Sequence, residues 1–287
     1  MVALVLSILA LAGAAERRAD PTWELVVLGI AQDAGIPHLR CLDPPCSDIR
    51  AGRRKAEKVS SIGVIDHASG QAYLFDATPD MPAQIHALTG GRLPDAIFLT
   101  HAHIGHYTGL MYLGKEGTAA RNVPVYATRR MSDYLEANGP WSLLVKDGHI
   151  GLRVVAPGVE VSLPGGLKVT PIRVPHREEL SDTVGYIIAG PRAHVLFVPD
   201  TDRWETWTRD IRELAAEMDL LIVDGTFAST SELKGRTIED IPHPLMSLTR
   251  TLLRGTRAKL WFIHLNHTNT ELDRAADVLR EGQRFPI

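Results

Sequence analysis

Short apolar runs alternate along the chain with stretches whose apolar residues recur at helical spacing. The apolar runs predict strands at Leu25–Leu28, Val59–Ile65, Ala72–Phe75, Ala96–Leu99, Pro124–Ala127, Val169–Val174, Val184–Ile188, Val195–Val198, Leu220–Val223 and Leu260–Ile263. Helical spacing predicts helices at Asp80–Leu88, Arg130–Asn138, Trp207–Glu217 and Leu245–Leu253. Two groups of strands with interspersed helices predict an α/β protein with two packed sheets covered by helices, a four-layer αββα sandwich. We expect one such domain over residues 22–287, in which the weakly periodic stretch Gly139–Gly166 forms a lid or a rim.

The amino terminus has the pattern of a signal peptide. An apolar run over Met1–Ala15 ends in the small residues Ala12-Gly13-Ala14, and polar residues follow it. The run is short for a membrane span, and its end suits signal peptidase. We therefore expect residues 1–14 to be removed, and the mature protein to be periplasmic or secreted without stable membrane association. No basic segment precedes the run, so a cytoplasmic protein without a functional leader is the alternative.

The charge balance narrows the range of partners. The chain has 31 Lys and Arg against 34 Asp and Glu, a formal net charge of -3. Such a balance does not favour binding to the phosphate backbone of a nucleic acid. We expect a small-molecule substrate and no nucleic acid; the oligomeric state is left open.

The densest chemical signal lies at the end of one predicted strand. His101, His103 and His106 fall within six residues, directly after the apolar run Ala96–Leu99. Alternate side chains at a strand end point the same way, so His101 and His103 can share one ion, while His106 is placed for a neighbouring one. Neutral imidazoles at this density are typical ligands of zinc or iron. The spacing therefore predicts a metal site.

This segment resembles the His-x-His-x-Asp-His motif of the metallo-β-lactamase superfamily, with Gly105 where Asp is usual. The resemblance extends over nearly the whole chain after the leader. It implies that Asp76 orients a ligand imidazole and that His176 completes the first metal site. It also implies that Asp200 bridges two metals and that His264 is the last ligand of the second site.

Other segments are similar to a narrower group, the pyrroloquinoline-quinone biosynthesis protein B family and the related phosphonate-metabolism phosphodiesterases. The similar segments are Leu28–Pro37 with Cys41 after it, Asp76–Gln84, Asp224–Phe227 and His264–Asn269. The resemblance makes a role in quinone-cofactor biosynthesis, through iron-dependent oxidation or cofactor handling, the main alternative to hydrolysis.

Two features of the motif bear on the chemistry. The complete pair His101 and His103 favours metal-dependent hydrolysis, whereas Gly105 lacks the carboxylate expected in the second site. That site is left with His106, Asp200 and His264. We therefore expect one tight zinc site and a weaker second one, with iron or manganese as alternatives.

The functional prediction is a metal-dependent hydrolase that activates water for attack on an ester-type bond, such as a phosphodiester or a lactone. Asp200 is predicted to orient the water, and Asp76 to hold a ligand histidine in the right tautomer. A degenerate member without catalytic activity is a further alternative. The chain contains no Gly-x-Ser-x-Gly motif and no phosphate-binding glycine-rich loop that would indicate a competing nucleophile or nucleotide site.

Three residues are left open. Cys41 and Cys46 can form a disulfide, contribute part of a structural zinc site, or stay free. His243 lies between two prolines and is either a loop histidine or part of the active-site rim.

Overall fold

The computed structural model describes residues 23–233, 235, 237 and 241–287, so the predicted signal peptide lies outside the described part of the chain. The strands are β1 Trp23–Gly29, β2 Ser61–Asp66, β3 Ala72–Phe75, β4 Ala96–Phe98, β5 Val123–Ala127, β6 Ile150–Val154, β7 Val161–Ser162, β8 Lys168–Arg173, β9 Val184–Ala189, β10 His194–Val198, β11 Leu220–Asp224, β12 Lys259–Ile263 and β13 Arg284–Pro286. The α-helices are α1 Cys46–Arg50, α2 Met81–Thr89, α3 Ile104–Tyr107, α4 Arg129–Ala137, α5 Trp141–Lys146, α6 Ile211–Glu217 and α7 Met246–Leu252.

The strands form two mixed sheets. The first has the order β13-β1-β2-β3-β4-β5-β6, and the second has the order β12-β11-β10-β9-β8-β7. Strands β3, β4, β5 and β6 are parallel neighbours, as are β10, β11 and β12. Because parallel strands end at the same edge, each sheet gathers several strand-to-loop junctions at one place. These junctions carry the polar residues described below.

Strand β1 is buried on both faces, which explains its continuous apolar sequence. Leu25 and Val27 pack into the core between the two sheets, and Val26 and Leu28 pack into a second core beneath the helices. At about 25 cal/mol per Å² of apolar surface, each such side chain contributes roughly 1.5–3 kcal/mol. This alternation fixes the strand between a sheet on one side and helices on the other.

Aromatic rings join the two sheets at the centre of the molecule. Phe75 and Phe98 are stacked at 5.0 Å, and Phe98 stacks on Tyr126 at 4.5 Å within the first sheet. Tyr186 and Phe197 of the second sheet meet the Phe75 ring edge-on. The predicted αββα sandwich is confirmed, since buried side chains of α2 and α4 cover the first sheet and those of α6 and α7 cover the second.

Some local predictions differ from the structure. The helix expected to start at Trp207 begins at Ile211, because the Asp210 side chain accepts from the Arg212 amide at 2.8 Å and caps it. The stretch Gly139–Gly166, expected to form a lid or a rim, contributes helix α5 and the edge strands β6 and β7 of the two sheets. Within the described residues, no helix has the length and apolar character needed to cross a membrane.

Candidate metal centre

A cluster of histidines and carboxylates lies where the strands of both sheets end. From the first sheet come Asp33 after β1, Asp76 after β3, and His101, His103 and His106 after β4. From the second come His176 after β8, Asp200 after β10, Asp224 at the end of β11, and His264 after β12. The two sheets thus bring their carboxyl-terminal edges together at one point, and the polar residues of the centre are supplied from both sides.

The first group consists of His101, His103, His176 and Asp200. Their donor atoms all lie within 4.8 Å of one another. Oδ2 of Asp200 is 3.3 Å from Nε2 of His101 and 3.1 Å from Nε2 of His176. Nδ1 of His103 is 3.1 Å from that same His176 nitrogen. Four donors therefore face one point.

The second group shares Asp200 with the first. Oδ2 of Asp200 is 3.8 Å from Nε2 of His106 and 3.8 Å from Nε2 of His264. The fourth donor is Asp33, whose Oδ1 lies 3.2 Å from Nε2 of His106 and 3.8 Å from Nε2 of His264. Asp200 thus lies between two sets of donors.

The outward nitrogen of each imidazole has a partner of its own. Nδ1 of His106 faces Asp76 at 2.7 Å, Nδ1 of His176 faces Asp202 at 3.0 Å, and Nε2 of His103 faces Glu179 at 3.2 Å. Nδ1 of His101 and of His264 faces a threonine hydroxyl, at 2.9 Å and 3.1 Å. An acceptor behind each ring fixes the proton on the outer nitrogen, which leaves the inner lone pair for a metal.

The residues present fit a bound metal ion. Several inward-facing atoms are buried without a hydrogen-bond partner, namely Nε2 of His101, His106 and His264, Oδ1 of Asp33 and Oδ1 of Asp200. Leaving such atoms unpaired costs about 1–3 kcal/mol each, which a cation would remove. The shortest spacings, 3.1–3.3 Å, match the separation of about 3.3 Å between donors placed tetrahedrally about 2.0–2.1 Å from a zinc ion.

The electrostatics of the centre favour positive charge. Burial disfavours the Asp200 carboxylate, but the imidazoles around it outweigh burial and hold its pKa well below the usual range. Burial likewise opposes protonation of His176, yet Asp200 and Asp202 raise its pKa to about 10. By contrast, burial and the nearby His106 hold the pKa of His101 well below its ordinary value, so this ring is neutral. Without a metal, protons supply the charge that a divalent cation would otherwise bring.

A third cluster adjoins the centre. Nδ1 of His243 donates to Oδ2 of Asp224 at 2.8 Å, and it lies 3.4 Å from Oδ1 of Asp200. Asp224 is itself fixed by the backbone amides of Thr201 and Thr226. Burial opposes protonation of His243, but Asp224 and Asp200 outweigh it and raise its pKa. The His243 ring is therefore held against a fixed carboxylate that favours its protonated form.

Two residues of the cluster have an unusual backbone conformation. Asp76 and His264 both have φ 65°, in the left-handed region that non-glycine residues seldom adopt. Such conformations cost about 1–3 kcal/mol each and persist only where the surroundings hold them. The amide of Asp76 donates to the Phe98 carbonyl, and its carboxylate accepts from the Thr100 amide, both at 2.8 Å. These bonds keep the Asp76 side chain aimed at His106.

The fold brings together all six sequence-predicted metal ligands, His101, His103, His106, His176, Asp200 and His264, with Asp76 behind them. Sequence reasoning assigned no role to Asp33 or Asp224 in the centre and left His243 undecided. The second group has four donors and not the expected three, because Asp33 arrives from a loop that the motif does not include. Its sequence signals were its position after a buried strand, in Gln32-Asp33-Ala34-Gly35, and its place in the segment Leu28–Pro37, which resembles the pyrroloquinoline-quinone biosynthesis protein B family.

The two cysteines are joined to each other. Cys41 and Cys46 form a disulfide across a sequence separation of 5, and Cys46 is fully buried. Of the three possibilities left open by the sequence, the structure has the disulfide.

Comparison with known proteins agrees with this architecture. The family described as beta-lactamase superfamily domain matches residues 71–265. The coenzyme PQQ synthesis protein B of Ruegeria pomeroyi is 28% identical over 278 residues, which cover 86% of this chain and 90% of that protein. The corresponding protein of Methylobacterium sp. (strain 4-46) is 27% identical over 225 residues, covering 71% of this chain and 73% of that protein.

Solved structures show the same fold. Zn²⁺-bound PqqB from Methylobacterium extorquens superposes with a TM-score of 0.77 at 22% identity, covering 92% of this chain and 100% of that one. A diphosphatase from the PhnP family superposes with a TM-score of 0.67 at 22% identity, covering 92% and 97%.

Proposed function

The chain belongs to the beta-lactamase superfamily, and on that premise we propose that it is a metal-dependent hydrolase that cleaves an ester-type bond in a small molecule. The observation that carries this proposal is the position of Asp200. Its carboxylate lies within 3.9 Å of a ring nitrogen from each of six histidines, in a buried centre where several inward-facing atoms have no hydrogen-bond partner. A degenerate site would not be expected to keep every one of these groups.

The residues divide into two sets of ligands. His101, His103 and His176 would hold the first ion, His106 and His264 would hold the second, and Asp200 would contact both. A divalent ion bound here supplies Lewis acidity, which polarises a carbonyl or phosphoryl oxygen and acidifies a water molecule. The protein's part is to hold the ligand rings in one tautomer through Asp76, Asp202 and Glu179.

His243 is suited to protonate the leaving group. Its Nδ1 is fixed by Asp224, and its ring centroid lies 5.8 Å from that of His176 and 6.1 Å from that of His264, beside the ligands of both sites. A protonated imidazole at this position can donate to an oxygen that leaves as the bond breaks. Asp224 keeps the ring oriented and stabilises its charge. This arrangement favours substrates whose leaving group needs a proton.

Such substrates are phosphodiesters and lactones, because an aliphatic alkoxide is a poor leaving group unless it is protonated. The fold similarity to a PhnP-family diphosphatase supports a substrate that is attacked at phosphorus. The small net charge of -3 supports a small molecule over a polynucleotide.

A second candidate function follows from the relatives. Similarity to coenzyme PQQ synthesis protein B extends over 86% of this chain, so a role in making or handling a quinone cofactor is the alternative. This alternative predicts stoichiometric iron and oxygen consumption with a quinone precursor, whereas the hydrolase predicts zinc and no use of oxygen.

We also propose that the mature protein acts outside the cytoplasm. The disulfide between Cys41 and Cys46 supports this location, since such bonds persist in oxidising compartments.

The test is a purification without chelator, followed by metal analysis and turnover of a matched substrate panel. The panel contains bis-p-nitrophenyl phosphate, a p-nitrophenyl carboxylate ester and an aliphatic lactone. We expect zinc to co-purify and one class to turn over, and we expect His103→Ala and Asp200→Asn to lose both metal and activity. An exposed substitution, Asp133→Asn, serves as the control. Zinc without turnover of any class would contradict the hydrolase, and stoichiometric iron would favour the alternative.

A further inference from the structure

The space that a side chain at position 105 would need is filled by Asp33. A Cβ built on Gly105 would lie 2.4 Å from Oδ1, 2.5 Å from Cα and 3.0 Å from Cβ of Asp33. Real Cβ atoms essentially never come this close to another residue. Gly105 adopts an ordinary helical conformation in α3, so its lack of a side chain is required by this contact and not by its backbone angles.

The distance between Asp33 Oδ1 and the absent Cβ is informative. In an aspartate, Cβ and each carboxylate oxygen are both bonded to Cγ, and standard bond lengths and angles place them about 2.4 Å apart. Oδ1 of Asp33 is therefore as far from the position of that Cβ as the oxygen of an aspartate at residue 105 would be. The Asp33 carboxylate reaches this position from the loop after β1, whereas Gly105 follows β4.

From these contacts we propose that Asp33 is a ligand of the second metal, and that Gly105 is present because a larger residue would displace it. This inference rests on the proposed metal centre and adds a fourth protein donor to its second half. The second site is then as complete as the first, with Asp33, His106 and His264 around the shared Asp200. Two ions would bind with comparable affinity, in place of one tight and one weak ion.

The unpaired oxygen of Asp33 supports this role. Its Oδ1 is buried without a hydrogen-bond partner and faces Nε2 of His106 at 3.2 Å. The side chain as a whole is 26% exposed, against 3% for Asp200, so it lies on the more open side of the centre. The Asp33 carboxylate therefore reaches the second group of donors from its solvent-facing side.

The loop that carries Asp33 is held by the segment that carries His264. The Gln32 amide donates to the Leu265 carbonyl at 2.9 Å, and the Asn266 side chain donates to Oε1 of Gln32 at 2.6 Å. A bridge also pairs Ala31 with Leu265. Two ligands of the second site are thus fixed to one another before any metal binds, which lowers the cost of ordering them.

The neighbouring cluster is less suited to this ion. Asp224 and His243 share Asp200 and His264 with the second group, so one ion could in principle be held there. However, Nδ1 of His243 donates its proton to Asp224 at 2.8 Å and has no lone pair to offer. Asp33 has no such engagement at Oδ1.

The experiment measures zinc itself. Wild type, Asp33→Asn, Gly105→Ala and the double variant are dialysed against metal-free buffer and titrated with Zn²⁺ by calorimetry, and bound zinc per chain is counted. Asp43→Asn, an exposed carboxylate in the following loop, controls for charge, and Gly139→Ala, with no atom within 4 Å of the added carbon, controls for the added methyl group. Circular dichroism of the metal-free variants checks folding.

We expect two zinc ions in wild type and both controls. In Asp33→Asn the affinity for the second ion should fall by roughly 10-fold or more. Gly105→Ala removes no ligand, yet it should lower the affinity for the second zinc, because the added methyl group displaces Asp33. The double variant should be no worse than the weaker single, because both changes act on one donor.

Two unperturbed zinc ions in Asp33→Asn would overturn the inference and leave the hydrolase proposal intact. A single zinc ion in wild type would likewise overturn the inference about Asp33 and leave the hydrolase proposal intact. No zinc in wild type, even after reconstitution, would overturn both. If Gly105→Ala does not fold, Asp33→Asn alone decides the matter, since asparagine has the same shape as aspartate.

Discussion

Nδ1 of His106 donates a hydrogen bond to Oδ2 of Asp76 at 2.7 Å, and both side chains are completely buried. The other carboxylate oxygen of Asp76 accepts from the Thr100 amide at 2.8 Å. The carboxylate therefore has no freedom to turn. Its orientation determines which nitrogen of His106 carries the proton, and so which nitrogen faces Asp33 and Asp200.

Replacing Asp76 by asparagine should weaken the second zinc site selectively. The Thr100 amide would keep the asparagine oxygen as its acceptor, so the amide nitrogen would face His106. His106 would then accept at Nδ1 and carry its proton on Nε2, where the metal lone pair is needed. We expect the affinity for the second zinc to fall about 10–100-fold, measured by calorimetric titration.

Asp202→Asn is the matched comparison, because Asp202 holds Nδ1 of His176 in the first group at 3.0 Å. Asp202→Asn should lower the affinity for the first zinc and leave the affinity for the second unchanged. Equal effects of the two variants on both ions would contradict the assignment of His106 and His176 to separate sites.

Much of the fold could be predicted from the sequence because the strands are buried and strongly apolar. Ala72–Phe75 was predicted with the bounds that β3 has, since every residue in it is buried. Strand β13 was missed, because Arg284–Pro286 is short, contains a proline and carries an exposed arginine. Its position depends on pairing with β1 across the whole chain, which no local pattern contains.

The residues of the candidate site could also be predicted only in part. His101, His103 and His106 are adjacent in sequence, so their spacing indicates a metal site. Asp33 and Asp224 lie in segments that resemble the pyrroloquinoline-quinone biosynthesis protein B family, but neither has a local pattern of metal ligands, because an isolated aspartate after a strand is as typical of a turn as of a ligand. Only the fold brings them together, since the loop after β1 pairs with the segment after β12 and both aspartates lie beside Asp200 and His264.

His243→Gln should separate substrates by their leaving group. If His243 protonates the departing oxygen, esters of aliphatic alcohols should lose about 10²–10⁴-fold in kcat/KM. p-Nitrophenyl esters should lose far less, because p-nitrophenolate leaves without a proton. Zinc content should not change, since Nδ1 of His243 is engaged by Asp224.

His194→Gln, an exposed change at the start of β10, is the control for the His243 variant. Equal losses for both kinds of ester would exclude proton donation by His243. A loss of zinc would instead make His243 a ligand.

Removing the disulfide should affect stability but not the metal. The bond closes a very short loop, and loop closure of this size contributes about 2 kcal/mol in the chain-entropy account. We expect Cys41→Ala with Cys46→Ala to lower the free energy of unfolding by up to this amount in urea denaturation. Bound zinc per chain should stay as in wild type. Loss of one zinc would show that Cys41 and Cys46 bind a structural metal as thiolates instead of forming the disulfide.

Zinc should raise the thermal stability of the metal-free protein by a large amount. In its absence the centre holds unpaired donors at His101, His106 and His264, and its carboxylates depend on protonated imidazoles for compensation. A ligand that binds only the folded state at 1,000 times its Kd contributes about 4 kcal/mol. For a domain of this size that corresponds to a rise in Tm of roughly 10 °C.

Asp200→Asn should abolish most of the rise, because Oδ2 of Asp200 is shared by both sets of donors. Calorimetric unfolding with and without zinc measures the difference, and a Tm of wild type that does not respond to zinc would contradict the metal centre itself.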